Sequence, residues 1–86
     1  MTRDEATTIF SDIEAELVKA GGHQAEFASL HEAFAVILEE VDELWEIVRL
    51  KRKNRSPIEV RKELVQIAAM SVKAIQSMHN FIGGSV

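Results

Sequence analysis

The chain has 86 residues, a net charge of −4 and no cysteine. That length allows one domain with a thin core. The missing thiols exclude disulfides, thiol catalysis and thiolate metal sites. Apolar residues make up 47% and charged residues 28%, a globular balance. No apolar run reaches the roughly 18 residues of a membrane span, and MTRDEATTIF lacks a signal-peptide pattern, so the expectation is a soluble, cytoplasmic protein.

Two glycines at 21–22 and the single Pro57 divide the chain into three predicted helices. The first is expected from about Arg3 to Ala20. Thr2 and Glu5 have capping-box spacing, Ile9, Phe10, Ile13 and Leu17 form an apolar stripe, and Gly21–Gly22 end the helix.

The second helix is expected to begin between Gln24 and Ser29 and to run to about Lys53. SLHE (29–32) is a candidate cap. Phe27, Leu30, Phe34, Ile37, Val41, Leu44 and Val48 recur at steps of three and four and predict its packing seam.

The third helix is predicted from Ser56, with serine as cap, Pro57 at the first helical position and Glu59 three residues on. Its seam continues through Val60, Leu64, Ile67, Ala68, Ser71, Ile75, Met78 and Ile82, with an end near Phe81. A link of only about KNRS would force the second and third helices into an antiparallel hairpin. No strand pattern or internal repeat is visible, so the expected fold is an all-α, single-domain chain of three helices over residues 1–86.

Charge is unevenly placed. Five of the eight residues from Glu39 to Glu46 are acidic, and seven of the ten lysines and arginines fall between Arg49 and Lys62. Like charges close together on a helix repel, so the acidic run asks for a cause. At about 100° per residue, with Val41 at zero, Glu40 falls near −100° and Glu43 near −160°. Asp42, Glu46 and Glu39 fall on the other flank and read as solvated charges. Ala33, Val36 and Ile47 share the side of Glu40 and Glu43, so that flank is expected to be covered, by the first helix or by another subunit.

On the third helix, with Leu64 at zero, Glu63 and Gln66 take the same angles as Glu40 and Glu43. In an antiparallel pair, equal angles of equal sign lie on one side, so Glu40, Glu43, Glu63 and Gln66 should converge. Oxygen ligands from facing helices are one way in which bundles build metal sites, and such a set suits Mg²⁺, with Mn²⁺ as the alternative. The competing reading is a solvated acidic helix face.

EEVDE (39–43) followed by KELVQ (62–66) resembles the paired acidic motifs of the MazG-like, all-α nucleoside triphosphate pyrophosphohydrolases, in particular their small phage- and cassette-encoded members. The family pattern is Glu-x-x-Glu on one helix and Glu-x-x-Asp on the next, and the likeness spans roughly residues 27 to 78. It implies a helical bundle completed by oligomerisation, as a homodimer or homotetramer. It also implies Mg²⁺ at Glu40, Glu43, Glu63 and Gln66, and cleavage of a nucleoside triphosphate to a monophosphate and pyrophosphate. Catalysis would then fall to Glu40 and to Glu39, which would hold or orient a water at the metal. The last motif position, usually aspartate, is Gln66. That implies weaker Mg²⁺ binding, loss of two-metal chemistry, or a branch with altered substrate or no activity.

Arg55, Arg61, Lys62 and Lys73 are the candidates for phosphate contact. Cations after a helix C-terminus also have a purely structural explanation in the macrodipole. Trp45, at the seam edge, reads as core, interface or a base-stacking residue. His23, His31 and His79 have no metal-ligand spacing among themselves. The weakly acidic balance speaks against a nucleic-acid polymer as partner, and nothing points to a membrane. Beside the hydrolase stand two further readings: a non-catalytic helical oligomer that binds a nucleotide or a protein, and a plain interaction module without a ligand.

Overall fold

The computed structural model describes residues 1–81, so Ile82 and the terminal glycines lie outside the described residues. Helix α1 spans Arg3–Lys19, α2 Leu30–Val48 and α3 Pro57–Gln76, with short 3₁₀ turns at Arg52–Asn54 and Met78–Asn80. Among the described residues there is no strand, and no helix is long and apolar enough to cross a membrane.

The caps follow the side chains. Thr2 accepts from Glu5 N while Glu5 Oε1 accepts from Thr2 N, completing the box at the start of α1. At the other end Gly21 N donates to Val18 O and Gly22 N to Leu17 O, the paired bonds of a Schellman ending. Gly21 sits at φ +114°, and a Cβ there would meet the Ala25 Cβ at 2.8 Å, so glycine is required. Ser29 caps α2 through Glu32 N, and the Glu32 carboxylate takes Ala28 N. Ser56 caps α3 through Glu59 N, with Pro57 opening the helix.

Helix α2 stops at Val48, five residues before the expected end, and α3 stops at Gln76 rather than near Phe81. The link between α2 and α3 is therefore Arg49–Ser56 and not KNRS alone. Five cations crowd residues 49–55 and would repel along a continued helix. The Arg55 side chain instead donates to Val48 O at 2.6 Å and Leu50 O at 3.2 Å, satisfying carbonyls that the helix end leaves open.

Helix α3 is the middle of the molecule, with α2 packed on one side and α1 on the other. The start of α2 lies at the end of α3, which makes the pair antiparallel. A polar clasp fixes that end. The fully buried Ser77 hydroxyl accepts from Phe27 N at 2.8 Å and donates to Lys73 O at 2.6 Å. Asn80 Nδ2 donates to Phe27 O at 2.9 Å, and the Gln76 amide donates to His23 O. Phe27 precedes α2 rather than belonging to it, and is buried under the Lys73 ammonium, 4.5 Å from its ring centroid.

Only one edge of the expected seam of α2, Ile37 and Leu44, belongs to its packing face. Phe34, Val41, Trp45 and Val48 are exposed, whereas Ala33 is buried and Val36, Ile37, Glu40, Leu44 and Ile47 are partly covered. The helix is rotated by roughly 80–100° from seam-to-seam packing, so that the flank carrying Glu40 faces α3. The resulting core is small. Among the described residues only Phe27, Ala33, Val65 and Ala69 are buried apolar side chains. The molecule measures 49 × 30 × 21 Å, with a radius of gyration of 14.7 Å, against about 12 Å for a compact chain of this length.

Candidate metal centre

The rotation of α2 brings its acidic flank against α3. One carboxylate oxygen from each of Glu40, Glu43 and Glu63 lies within 4.8 Å of the others. Glu63 is 6% exposed, Glu40 is half-buried and Glu43 is exposed. With its amide nitrogen turned to the carboxylates, Gln66 donates to Glu40 Oε2 at 2.7 Å and to Glu63 Oε2 at 3.1 Å. The four positions that share an angle on the two helices therefore meet at one place.

Electrostatics at this place are strained. Burial first, then hydrogen bonding and charge repulsion from Glu43 and Glu40, push the Glu63 carboxyl up from 4.5 to about 7. Burial, then the Glu43 charge, also raises Glu40. Among the described residues no lysine, arginine or histidine is ion-paired with Glu40, Glu43 or Glu63. The protein thus gathers three carboxyl groups, one of them buried, with no cation in ion-pair contact. A donor set made only of oxygen fits a hard divalent ion. The Gln66 amide, turned over, would add its own oxygen to that set.

Other residues singled out in the sequence lie elsewhere. Glu39 is exposed and outside the three-carboxylate group, although its charge adds to the rise at Glu40. Arg55 is engaged with the carbonyls at the end of α2. Arg61 pairs with Asp12 at 2.8 Å and ties α3 to α1. Lys73 lies over Phe27. Lys62 is exposed and lines a cavity together with Glu16 and Lys19. Trp45 is 57% exposed, on the open face of α2 and not in a core. Of the histidines, His23 pairs with Glu14 and His79 with Glu26, while His31 is exposed beside Leu30 and Phe34.

One contribution was not visible in the sequence. A cavity of about 250 Å³ beside the acidic group is lined by Glu40, Gln66 and Met70 together with Glu16, Lys19 and Ala20 of α1. Lys19 is held to Glu16 at 3.4 Å. The 3.6-residue period places each of these on its own helix but says nothing of which face α1 turns to α3. In comparison with known proteins, the chain matches no family model, no curated protein and no solved structure.

Proposed function

We propose that this protein is a Mg²⁺-dependent nucleotide pyrophosphohydrolase that cleaves a nucleoside triphosphate to a monophosphate and pyrophosphate, working as a homo-oligomer. The observation that carries the reading is the buried Glu63 among Glu40 and Glu43, with no lysine, arginine or histidine ion-paired to any of the three among the described residues. The nucleotide part rests on the resemblance of EEVDE and KELVQ to the MazG-like motifs.

Glu40, Glu43 and Glu63, with the Gln66 amide oxygen, would hold the ion. Bound there, Mg²⁺ would neutralise phosphate oxygens and lower the pKa of water. The chain's own groups do the rest. Glu39, to which the resemblance gives the holding or orienting of a water at the metal, is adjacent to Glu40 and open to solvent. Lys19, across the cavity from Glu40 and Gln66, meets the polyphosphate as a flexible point charge.

A second reading has its own support. The Gln66 amide hydrogen bonds to Glu40 and Glu63 satisfy part of the cluster without an ion, as a non-catalytic oligomer would require. Incubation with a panel of canonical and modified nucleoside triphosphates and Mg²⁺, read as monophosphate and pyrophosphate, separates the two. Turnover that disappears in Glu40→Gln and Glu63→Gln supports the hydrolase. Absence of turnover on every substrate, together with a melting temperature indifferent to Mg²⁺, removes it.

A further inference from the structure

The turn between α2 and α3 stands clear of the helix packing. Every residue from Val48 to Glu59 is exposed. That run carries five cations, Arg49, Lys51, Arg52, Lys53 and Arg55, against one acid, Glu59. The net charge of −4 therefore comes from the rest of the chain, and the overall balance hides a basic end.

Structural needs account for only part of this charge. Arg49 is the C-cap of α2 and pairs with Glu46 at 3.1 Å. Arg55 donates to Val48 O and Leu50 O. The field of a helix terminus fades within about one turn, and Lys51, Arg52 and Lys53 lie beyond the end of α2. They sit in a 3₁₀ turn closed by Asn54 N on Lys51 O and by Arg55 N on Arg52 O. Among the described residues none of these three is in an ion pair. Neighbouring like charges repel, so the fold fixes three consecutive cations side by side without a counter-charge of its own.

Two apolar side chains stand among them. Leu50 is 44% exposed and Ile58 78%. A site for phosphate alone has no use for either. An anionic bilayer surface uses both kinds of group: its headgroups attract lysine and arginine, and aliphatic side chains enter the boundary with the acyl chains. Single-stranded nucleic acid calls instead for aromatic platforms on which bases stack, and residues 48–59 contain no aromatic side chain.

The shape suits end-on contact. The turn closes one end of the antiparallel α2–α3 pair, in a molecule 49 Å long. Glu39, Glu40 and Asp42 stand about 9 Å or more up α2 from Val48. Charge is screened over roughly 8 Å at physiological ionic strength, so the acidic part of α2 is held off a surface that the turn touches.

We propose that the α2–α3 turn binds the surface of an anionic phospholipid bilayer, with Lys51, Arg52 and Lys53 on the headgroups and Leu50 and Ile58 in the interface. The contact is peripheral, since among the described residues no helix is long and apolar enough to cross a membrane. It does not involve the acidic group and does not rest on the nucleotide reading.

Co-sedimentation with vesicles tests it. The wild-type chain should pellet with vesicles of equal parts phosphatidylglycerol and phosphatidylcholine and not with pure phosphatidylcholine, and raising the ionic strength several-fold should release it. The triple variant Lys51→Gln, Arg52→Gln, Lys53→Gln should bind about a hundredfold more weakly. Ile58→Ser should weaken binding several-fold but keep its salt dependence, because it removes no charge. Arg3→Gln, at an exposed cation of α1, should bind as the wild type does. Equal binding to both kinds of vesicle, no binding to either, or full binding by the triple variant would overturn the proposal. Binding to a single-stranded oligonucleotide that the triple variant loses, without binding to vesicles, would overturn the bilayer and assign the turn to nucleic acid.

Discussion

Glu63 carries the sharpest consequence at the level of single residues. Its carboxyl is raised to about 7 from 4.5, so without a divalent ion the folded chain keeps a proton that the unfolded chain has released. Stability is therefore greatest below about pH 4.5 as far as this group is concerned, and falls as pH rises to about 7. The same sign follows from proton linkage, since over that window the native state binds more protons. Thermal melts in a chelator should show this decline, and Glu63→Gln should reduce it to what the raised Glu40 carboxyl contributes. At pH 8 the variant should melt higher than the parent in chelator but gain nothing from Mg²⁺. An unchanged pH profile in Glu63→Gln would mean that another group titrates. Gln66→Asp works in the opposite direction. It adds a fourth charge, so Mg²⁺ should bind about tenfold more tightly, measured by titration calorimetry, while the metal-free protein becomes less stable at neutral pH. Equal affinity would show that position 66 is not a ligand.

At the scale of elements, the decisive feature is which face α2 turns to α3. Its caps and apolar period were readable, because Ser29 and the three-and-four spacing act locally. The rotation was not. The sequence offers α2 two candidate faces, the seam from Leu30 through Phe34, Ile37, Val41 and Leu44 to Val48 and the Ala33–Glu40–Ile47 flank, and periodicity ranks the more apolar one first. In the folded chain that flank is inside together with Ile37 and Leu44, and Ala33 is the one fully buried side chain of the helix. The clasp at the end of α3 holds that choice. Ser77 is fully buried and both its bonds are made. Ser77→Ala leaves Phe27 N without a partner and should cost about 1–3 kcal/mol, measured by urea denaturation. A loss below ~0.5 kcal/mol would show that the hydroxyl is replaceable by water.

On the scale of the whole molecule, an open layer of three helices with a small core behaves differently from a closed bundle. If a second copy supplies the missing cover, stability is linked to concentration by mass action. The melting temperature should rise as protein concentration is raised a hundredfold, and should do so equally with and without Mg²⁺. A melting temperature independent of concentration would place the stability within the single chain. The acidic group and the exposed Phe34 and Leu38 lie on different sides of α2, so Glu40 and Glu63 variants should alter metal response without altering association, and Phe34 and Leu38 variants the reverse.

The sequence by itself determined the three helices, their N-terminal caps and the shared angle of Glu40, Glu43, Glu63 and Gln66, but not where α2 ends. What it did determine follows from hydrogen bonding and rotation within one helix or between antiparallel neighbours. Only the tertiary structure decided that the acidic flank lies between α2 and α3, that Lys19 and Glu16 of α1 stand beside it, and that the largest apolar side chains remain outside. Those facts depend on how whole helix surfaces compete for one another, and no local period contains that competition.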